Sequence, residues 1–187
     1  TEEGELRERA DAYRRRLNGL WSEEHGIYLN RRTDSGEFSH RISPTLLYPL
    51  LARAATQAQA ERMMADHFYR ATGFWGPWML PTIARNDPAY PEQVYWRGRV
   101  WAPTNLLVYL GLRNYDLPQA RAHLAERSVA LLMKEWLAHG HIHENYNADT
   151  GEGCDVASSD PYYHWGGLLG LMAFIEAGHL APPEGPL

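Results

Sequence analysis

Three clusters in this 187-residue chain bring together side chains able to do chemistry. The first is Tyr95-Trp96-Arg97-Gly98, continuing through Trp101 to Asn105. Aromatic rings beside a guanidinium and an amide make a platform: the apolar face of a sugar ring stacks on the indole while its hydroxyls meet fixed donors. The plainer reading of the same residues is a loop anchored by its own aromatics, with Arg97 in an ion pair. The second cluster is His141-Ile142-His143-Glu144-Asn145-Tyr146, followed by Asp149-Thr150-Gly151-Glu152-Gly153. A carboxylate at Glu144, between polar and aromatic neighbours at the mouth of a loop, could activate water as a general base. Asp149 to Gly151 reads as a turn that shapes the loop, which makes its acids structural. The third cluster, Tyr162-Tyr163-His164-Trp165-Gly166-Gly167, sits where a loop enters a helix, and its paired glycines permit close approach of a helix or a ligand.

Other chemistries find less support. His139, His141, His143 and Glu144 are dense in potential metal ligands, but the helical H-E-x-x-H spacing is absent. A metal-dependent helical enzyme remains the weakest of three readings. Cys154, the single cysteine, excludes an internal disulfide framework and has no neighbours that mark a nucleophile. No G-x-S-x-G elbow and no phosphate-cradling glycine pattern occurs, and no cofactor is expected.

Composition narrows the field further. Seven Trp and eleven Tyr against four Phe favour rings with a polar handle, which suits sugars, although such rings also fill cores. A net charge of −5 offers no basic face for nucleic acid. No apolar run approaches the roughly 20 residues that span a bilayer. The charged start lacks an apolar signal core, so a cytoplasmic location is expected. A chain beginning at Thr1 leaves a processed or truncated N-terminus open.

The elements that must position the clusters are mainly helical. Leu6, Ala10, Tyr13, Leu17 and Leu20 predict an amphipathic first helix that stops near Asn18 and Gly19. A short hairpin follows between Gly26 and His40. Ser43-Pro44 predicts the start of a second helix over 45–55, and Thr56 with Gln59 forms a capping box for a third. A long irregular segment, 71–103, holds six aromatics between Phe74 and Trp96, which argues against disorder. Helices are predicted over 104–115, from Pro118 to about 137, and over 163–177. The last of these is apolar nearly all round, which implies burial on more than one side. A proline-rich tail, 181–187, ends the fold. One all-α domain of about six helices in three hairpins is expected over 1–187.

Taken together, LWSEEHGIYLNRRTDSGEF, LPTIARNDPAYPEQVYWRGRVWAPTNLLVYLGL, HIHENYNADTGEG and YYHWGGLLGLMAFIE resemble the C-terminal part of glycoside hydrolase family 63. The similarity is to bacterial members acting on small α-glucosides or on mannosyl- and glucosylglycerate. Wider relatives are the trehalases and the proteins related to glycogen debranching. The resemblance implies an (α/α)6 toroid, of which this chain would be about half, and hydrolysis with inversion. It implies that Glu144 is the general base, that Tyr95, Trp96 and Arg97 line the sugar site, and that His164 and Trp165 border it. Trp101, Asn105 and Tyr146 complete the expected sugar-binding set.

The chain departs from that family in one respect. Inverting glycosidases need an acid and a base about 6.5–9.5 Å apart with water between. The family's acid is an aspartate far upstream, in a motif that this chain lacks; Asp34, Asp87 and Asp160 are the local alternatives. Half a toroid would also expose apolar flanks. A missing N-terminal half, a second copy of the chain, or loops closing over the gap would cover them. The two main readings are a hydrolase domain that keeps the base side of its site, and a sugar-binding module that reuses the platform without hydrolysis.

Overall fold

The computed structural model describes residues 1–183, so the end of the proline-rich tail lies outside the described residues. Five α-helices carry the frame: α1 Glu2–Asn18, α2 Gln57–Met63, α3 Ala102–Leu112, α4 Pro118–His139 and α5 Leu168–Glu176. One two-stranded antiparallel sheet joins β1 Trp21–Ser22 to β2 Ile27–Tyr28, with Trp21 opposite Tyr28. The hairpin continues to an isolated Arg31–Phe38 bridge. The fold is all-α, as the periodicity predicts. No helix among the described residues is long and apolar enough to cross a membrane.

The second predicted helix is instead a 3-10 turn, Pro44–Leu50. Pro49 is the cause: it has no N–H to donate and its ring clashes with the preceding turn, so an α-helix cannot run through it. The capping box does form, with Gln59 N–H on Thr56 Oγ1 at 3.2 Å and Thr56 N–H on Gln59 Oε1 at 2.8 Å. α2 then widens into a π turn, Met64–Phe68. The last helix begins as a 3-10 turn, His164–Gly167, before α5. α5 packs against both α4 and α3: Leu169, Met172 and Ile175 are buried and Leu168 and Leu171 lie against the core, as expected of burial on more than one side, while Phe174 departs from it at 55% exposed.

The core lies where α3 meets the Pro44–Leu50 turn, α4 and α5. α3 and the turn approach closely at Gly111, where a Cβ would meet Leu51 N at 3.0 Å and Leu50 Cβ at 3.1 Å. By contrast, α1 has no fully buried residue, and Leu6 and Tyr13 are 56% and 57% exposed. Its apolar stripe is present but uncovered.

Because Gly111 sits against main chain, Gly111→Ala is expected to push α3 from the Pro44–Leu50 turn at a cost of about 1–3 kcal/mol. Chemical denaturation read by circular dichroism checks this.

Candidate active site

Two long loops, 71–101 and 140–163, meet over the starts of α3 and α5 and bring the three clusters together. Their meeting line is a short backbone pairing: Val100 and Tyr146 exchange N–H···O=C bonds of 2.8 and 3.0 Å, and Val100 also bridges Pro81. A buried guanidinium locks this junction. Arg99 is wholly buried; its Nε donates to Asn145 Oδ1, and Nη1 to the carbonyl of Gln93 at 3.1 Å. Nη2 donates to the carbonyl of Glu152 at 3.2 Å and to Asp155 Oδ1 at 2.5 Å. Burial alone would raise the Asp155 carboxyl, but Arg99 outweighs it and holds the group below the usual carboxylate range. Arg85 makes a second tie, to Asp149 at 2.8 Å and to the carbonyls of Trp78 and Ala148.

The tip of the first loop holds the platform. The Val94–Arg97 bridge closes a tight turn, with Gln93 and Tyr95 in the left-handed region at φ 45° and 47°. Such positions cost about 1–3 kcal/mol in side-chain-bearing residues and persist only when surroundings hold them. Here Trp101 Nε1 donates to the Tyr95 carbonyl at 2.9 Å, and the Trp96 indole stacks on Trp101 with centroids 3.9 Å apart and planes 16° apart. Trp101 itself is 1% exposed, whereas Trp96 and Tyr95 are each 47% exposed. The strip continues from Trp101 to Trp165 at 5.8 Å and from Trp165 to Tyr163 at 4.4 Å.

Glu144 joins this strip through its backbone. Its carbonyl accepts from Trp165 Nε1 at 3.0 Å, and its N–H donates to the Asp160 carbonyl at 2.8 Å. Next to it, Asn145 donates to the Ser158 carbonyl at 2.6 Å and Ser159 Oγ donates to the Asn145 carbonyl at 2.7 Å. The Glu144 carboxylate is half-buried; its one polar contact is a long 3.5 Å approach from Asn145 Nδ2, and it enters no ion pair among the described residues.

Several expected site residues have other work. Asn105 is fully buried: its Oδ1 accepts from Leu80 N–H at 2.7 Å and its Nδ2 donates to the Trp101 carbonyl at 3.2 Å. Tyr146 is also fully buried, its hydroxyl accepting from His143 N–H at 3.1 Å and pushed up to about 12 by burial. Trp101 supports Trp96 from below and offers no open face. None of these three is placed to touch a ligand, which corrects the expectation for each. Arg97 is exposed and pairs with Glu92 at 2.6 Å, as the plainer reading of that cluster holds. His164 is exposed and stacks near Tyr163. Of the local acids, Asp34 pairs with Arg32 in the hairpin, Asp87 accepts from Ala89 N–H in its own turn, and Asp160 supplies a backbone carbonyl to Glu144.

Sequence reasoning missed the support beneath the site. Glu135, on α4, is 1% exposed and accepts from Gly153 N–H at 2.9 Å and from Lys134 Nζ at 2.6 Å. Burial would raise its carboxyl, but Lys134 and the Gly153 N–H outweigh that and hold it low. His143 Nε2 lies 3.2 Å from Glu135 Oε2, without the alignment of a hydrogen bond, and its Nδ1 lies 2.9 Å from Cys154 Sγ. Burial pushes the His143 imidazole below its usual 6.5 and the Cys154 thiol up, the latter helped by nearby acids. The histidines of the metal reading pack against one another, His141 edge-on to His143 with ring centroids 4.6 Å apart. Among the described residues no three His, Cys, Asp or Glu side chains are grouped to hold a metal ion.

Comparison with known proteins gives this geometry a context. The model of the mannosylglycerate hydrolase MGH1-like glycoside hydrolase domain matches residues 1–166. The chain belongs to this glycoside hydrolase family. Mannosylglycerate hydrolase of Thermus thermophilus is 29% identical over 140 residues, 73% of this chain and 31% of that protein. Cytosolic neutral trehalase of Kluyveromyces lactis is 27% identical over 148 residues, 78% of this chain and 19% of that protein. The chain thus spans about a third or less of the length of these relatives.

Solved structures agree. The family 63 mannosylglycerate hydrolase of Thermus thermophilus, in complex with glucose, superposes at a TM-score of 0.72 with 26% identity, covering 85% of this chain and 36% of that one. The same hydrolase in complex with Tris and D-glycerate gives 0.73, at 26% identity and the same coverage. Neutral trehalase Nth1 of Saccharomyces cerevisiae shares the fold at 0.72, with 20% identity over 92% of this chain and 30% of that one. The helices are those of the (α/α)6 toroid enzymes of the family 63 and trehalase type, and this chain covers about a third of each of those chains.

Two outcomes follow from the buried charges. Arg99→Met leaves Asp155 and two carbonyls without their donor, so a loss of about 3–5 kcal/mol in denaturant unfolding is expected. The folded imidazole of His143 binds its proton more weakly than the unfolded one, so stability falls as pH drops below 6.5. Glu135 and Asp155, held low, lose their contributions at still lower pH. Thermal melts between about pH 7.5 and 5.5 should show a falling Tm, with a smaller fall in His143→Asn.

Proposed function

We propose that this chain is the base-bearing part of an inverting α-glycosidase domain, one unit over 1–187, with Glu144 as the general base. The observation that carries the reading is the Glu144 carboxylate, positioned by its own backbone and without a counter-ion among the described residues. Its carbonyl is held by Trp165 and its N–H by Asp160, so the side chain is aimed without being consumed in an ion pair. A carboxylate in that condition can take a proton from water as the water attacks an anomeric carbon. The half-exposed faces of Trp96 and Tyr95 supply the sugar platform, and Trp165, Tyr163 and His164 form its far border. Family membership supports an α-mannosyl or α-glucosyl substrate with a small aglycone. The catalytic acid comes from outside this chain, a reading supported by the match covering only 31% of the Thermus thermophilus relative.

One observation favours a second reading, a sugar-binding module. Among the described residues Asp34 pairs with Arg32, Asp87 pairs with Arg41 and accepts from Ala89 N–H, and Asp160 meets Glu144 through its backbone carbonyl alone, so none of the three local acids makes a side-chain contact with Glu144.

α-Glycosyl fluorides separate the two, because fluoride leaves without protonation and needs only a base and water. Hydrolysis of α-mannosyl or α-glucosyl fluoride is expected, with the β-sugar as first-formed product in proton NMR spectra. Glu144→Gln should lower the rate about 10²- to 10⁴-fold. No turnover of either fluoride, with saturable sugar binding that Trp96→Ala abolishes, would leave the binding module as the function.

A further inference from the structure

No sequence neighbour of Cys154 marks a nucleophile, but folding gives this single cysteine two partners in a row. Cys154 is exposed, and its Sγ lies 2.9 Å from Nδ1 of His143. Across that ring, Nε2 lies 3.2 Å from Oε2 of Glu135. His143 and Glu135 are each 1% exposed, so an open thiol is backed by a buried base and a buried carboxylate. We propose that Cys154 is an oxidative modification site, where a small neutral hydroperoxide converts the thiol to a sulfenic acid with His143 as the base. The site goes beyond the glycosidase reading and does not depend on it.

The geometry holds each member of the row in place. The backbone at Gly153 lies so close to the His143 ring that a Cβ there would collide with the imidazole. Tyr146 and His141 approach the same ring edge-on, with centroids at 5.5 and 4.6 Å. Nε2 has no aligned hydrogen bond, yet the Glu135 carboxylate beside it favours the proton on that nitrogen. Nδ1 then turns a lone pair to the thiol. A nucleophile, a base within reach of it and a third group that orients the base are the arrangement that activates a thiol at the moment of reaction. The backbone of Cys154 is itself in the left-handed region, at φ 56°. It is held there by its N–H on Ser159 Oγ at 3.2 Å, by Glu135 on the Gly153 N–H and by Arg99 on Asp155.

Burial and the surrounding acids push the thiol up, while burial pushes the imidazole down. At neutral pH the pair therefore rests as S–H and free base, without a standing thiolate. In the reaction the sulfur attacks one peroxide oxygen as its proton passes to Nδ1. The O–O bond breaks, and the departing hydroxide takes that proton and leaves as water. Sulfur gives up two electrons, the peroxide accepts them, and His143 is restored. Glu135 stabilises the imidazolium that forms in between. Asp155 and Asp160 add negative charge near the thiol, which disfavours anionic oxidants such as glutathione disulfide. The Cys154 N–H, the nearest donor for an acyl oxyanion, is already bound to Ser159 Oγ, so the row suits modification and not acyl transfer.

Trapping with dimedone, followed by peptide mass spectrometry, reads sulfenic acid formed by hydrogen peroxide at about pH 7.5. The reference is the same chain unfolded in urea, where the thiol has no base beside it. Oxidation of folded Cys154 is expected to be about tenfold or more faster than in the unfolded chain. His143→Asn should remove that advantage, and Glu135→Gln should reduce it by a smaller factor. Glutathione disulfide should instead react more slowly with the folded chain than with the unfolded one. Circular dichroism confirms that each variant is folded, and the wild-type comparison carries the test where one is not. Folded Cys154 that oxidises no faster than unfolded Cys154, or a folded His143→Asn chain that oxidises as fast as the wild type, overturns the site. Glutathione disulfide that reacts faster with the folded chain overturns the preference for a neutral oxidant.

Discussion

The site depends first on one buried cation. The Arg99 guanidinium has no access to solvent, yet its donors reach Asn145, Gln93, Glu152 and Asp155. Those partners belong to two loops that are some fifty residues apart in sequence and share no helix. A desolvated arginine is unfavourable unless its hydrogen bonds are met. The loops can satisfy it only in one relative register. That register places the Trp96 tip beside the Glu144 segment and pairs Val100 with Tyr146. Irregular chain is thereby given the fixity that a sheet would otherwise provide.

On that base the chain separates fixing from reacting. The backbone and neighbours of Glu144 are tied on every side, through Trp165, Asp160, Ser158 and Ser159, while its carboxylate is left nearly alone. The aromatics divide labour in the same way. Trp101 is buried and holds the turn, and Trp96 rests on it with a face to spare. A reactive group and a binding face are both kept open by partners that are themselves inaccessible.

Much of this frame was legible in the sequence, because helix periodicity and caps are local signals. α1, the Thr56–Gln59 box, α3 and α4 fell close to their expected places. Pro49 breaks the second helix, which the Ser43-Pro44 start signal alone predicts. Membership of the glycoside hydrolase family was legible from the motifs. Which motif residues face solvent was not. Arg97 and Arg99 are two apart and look equivalent, but Gly98 between them has φ 104° and reverses the chain, sending one outward and the other into the core. A Cβ at Gly98 would meet the Tyr90 carbonyl at 2.5 Å, so the reversal requires that glycine. Asn105 and Tyr146 were misread for a related reason: buried polar side chains that satisfy backbone groups have the same residue types as ligand contacts. Glu135 gave no signal, since beyond its chain neighbour Lys134 its partners His143 and Gly153 reach it only in three dimensions.

The uncovered stripe of α1 has a consequence for how the molecule opens. No residue of that helix is fully buried, and its side-chain ties to the body lie towards its C-terminal end, through Arg14 to the Ala52 carbonyl and Asn18 to Tyr28. Its first three turns are held by their own hydrogen bonds and by surface ion pairs such as Arg7 with Glu3. Amide protons in those turns will exchange with solvent through local fraying, at a free-energy cost well below that of the helices around α3. The chain is in this sense two layers of cooperativity, a core that opens as a whole and an outer helix whose leading turns open on their own.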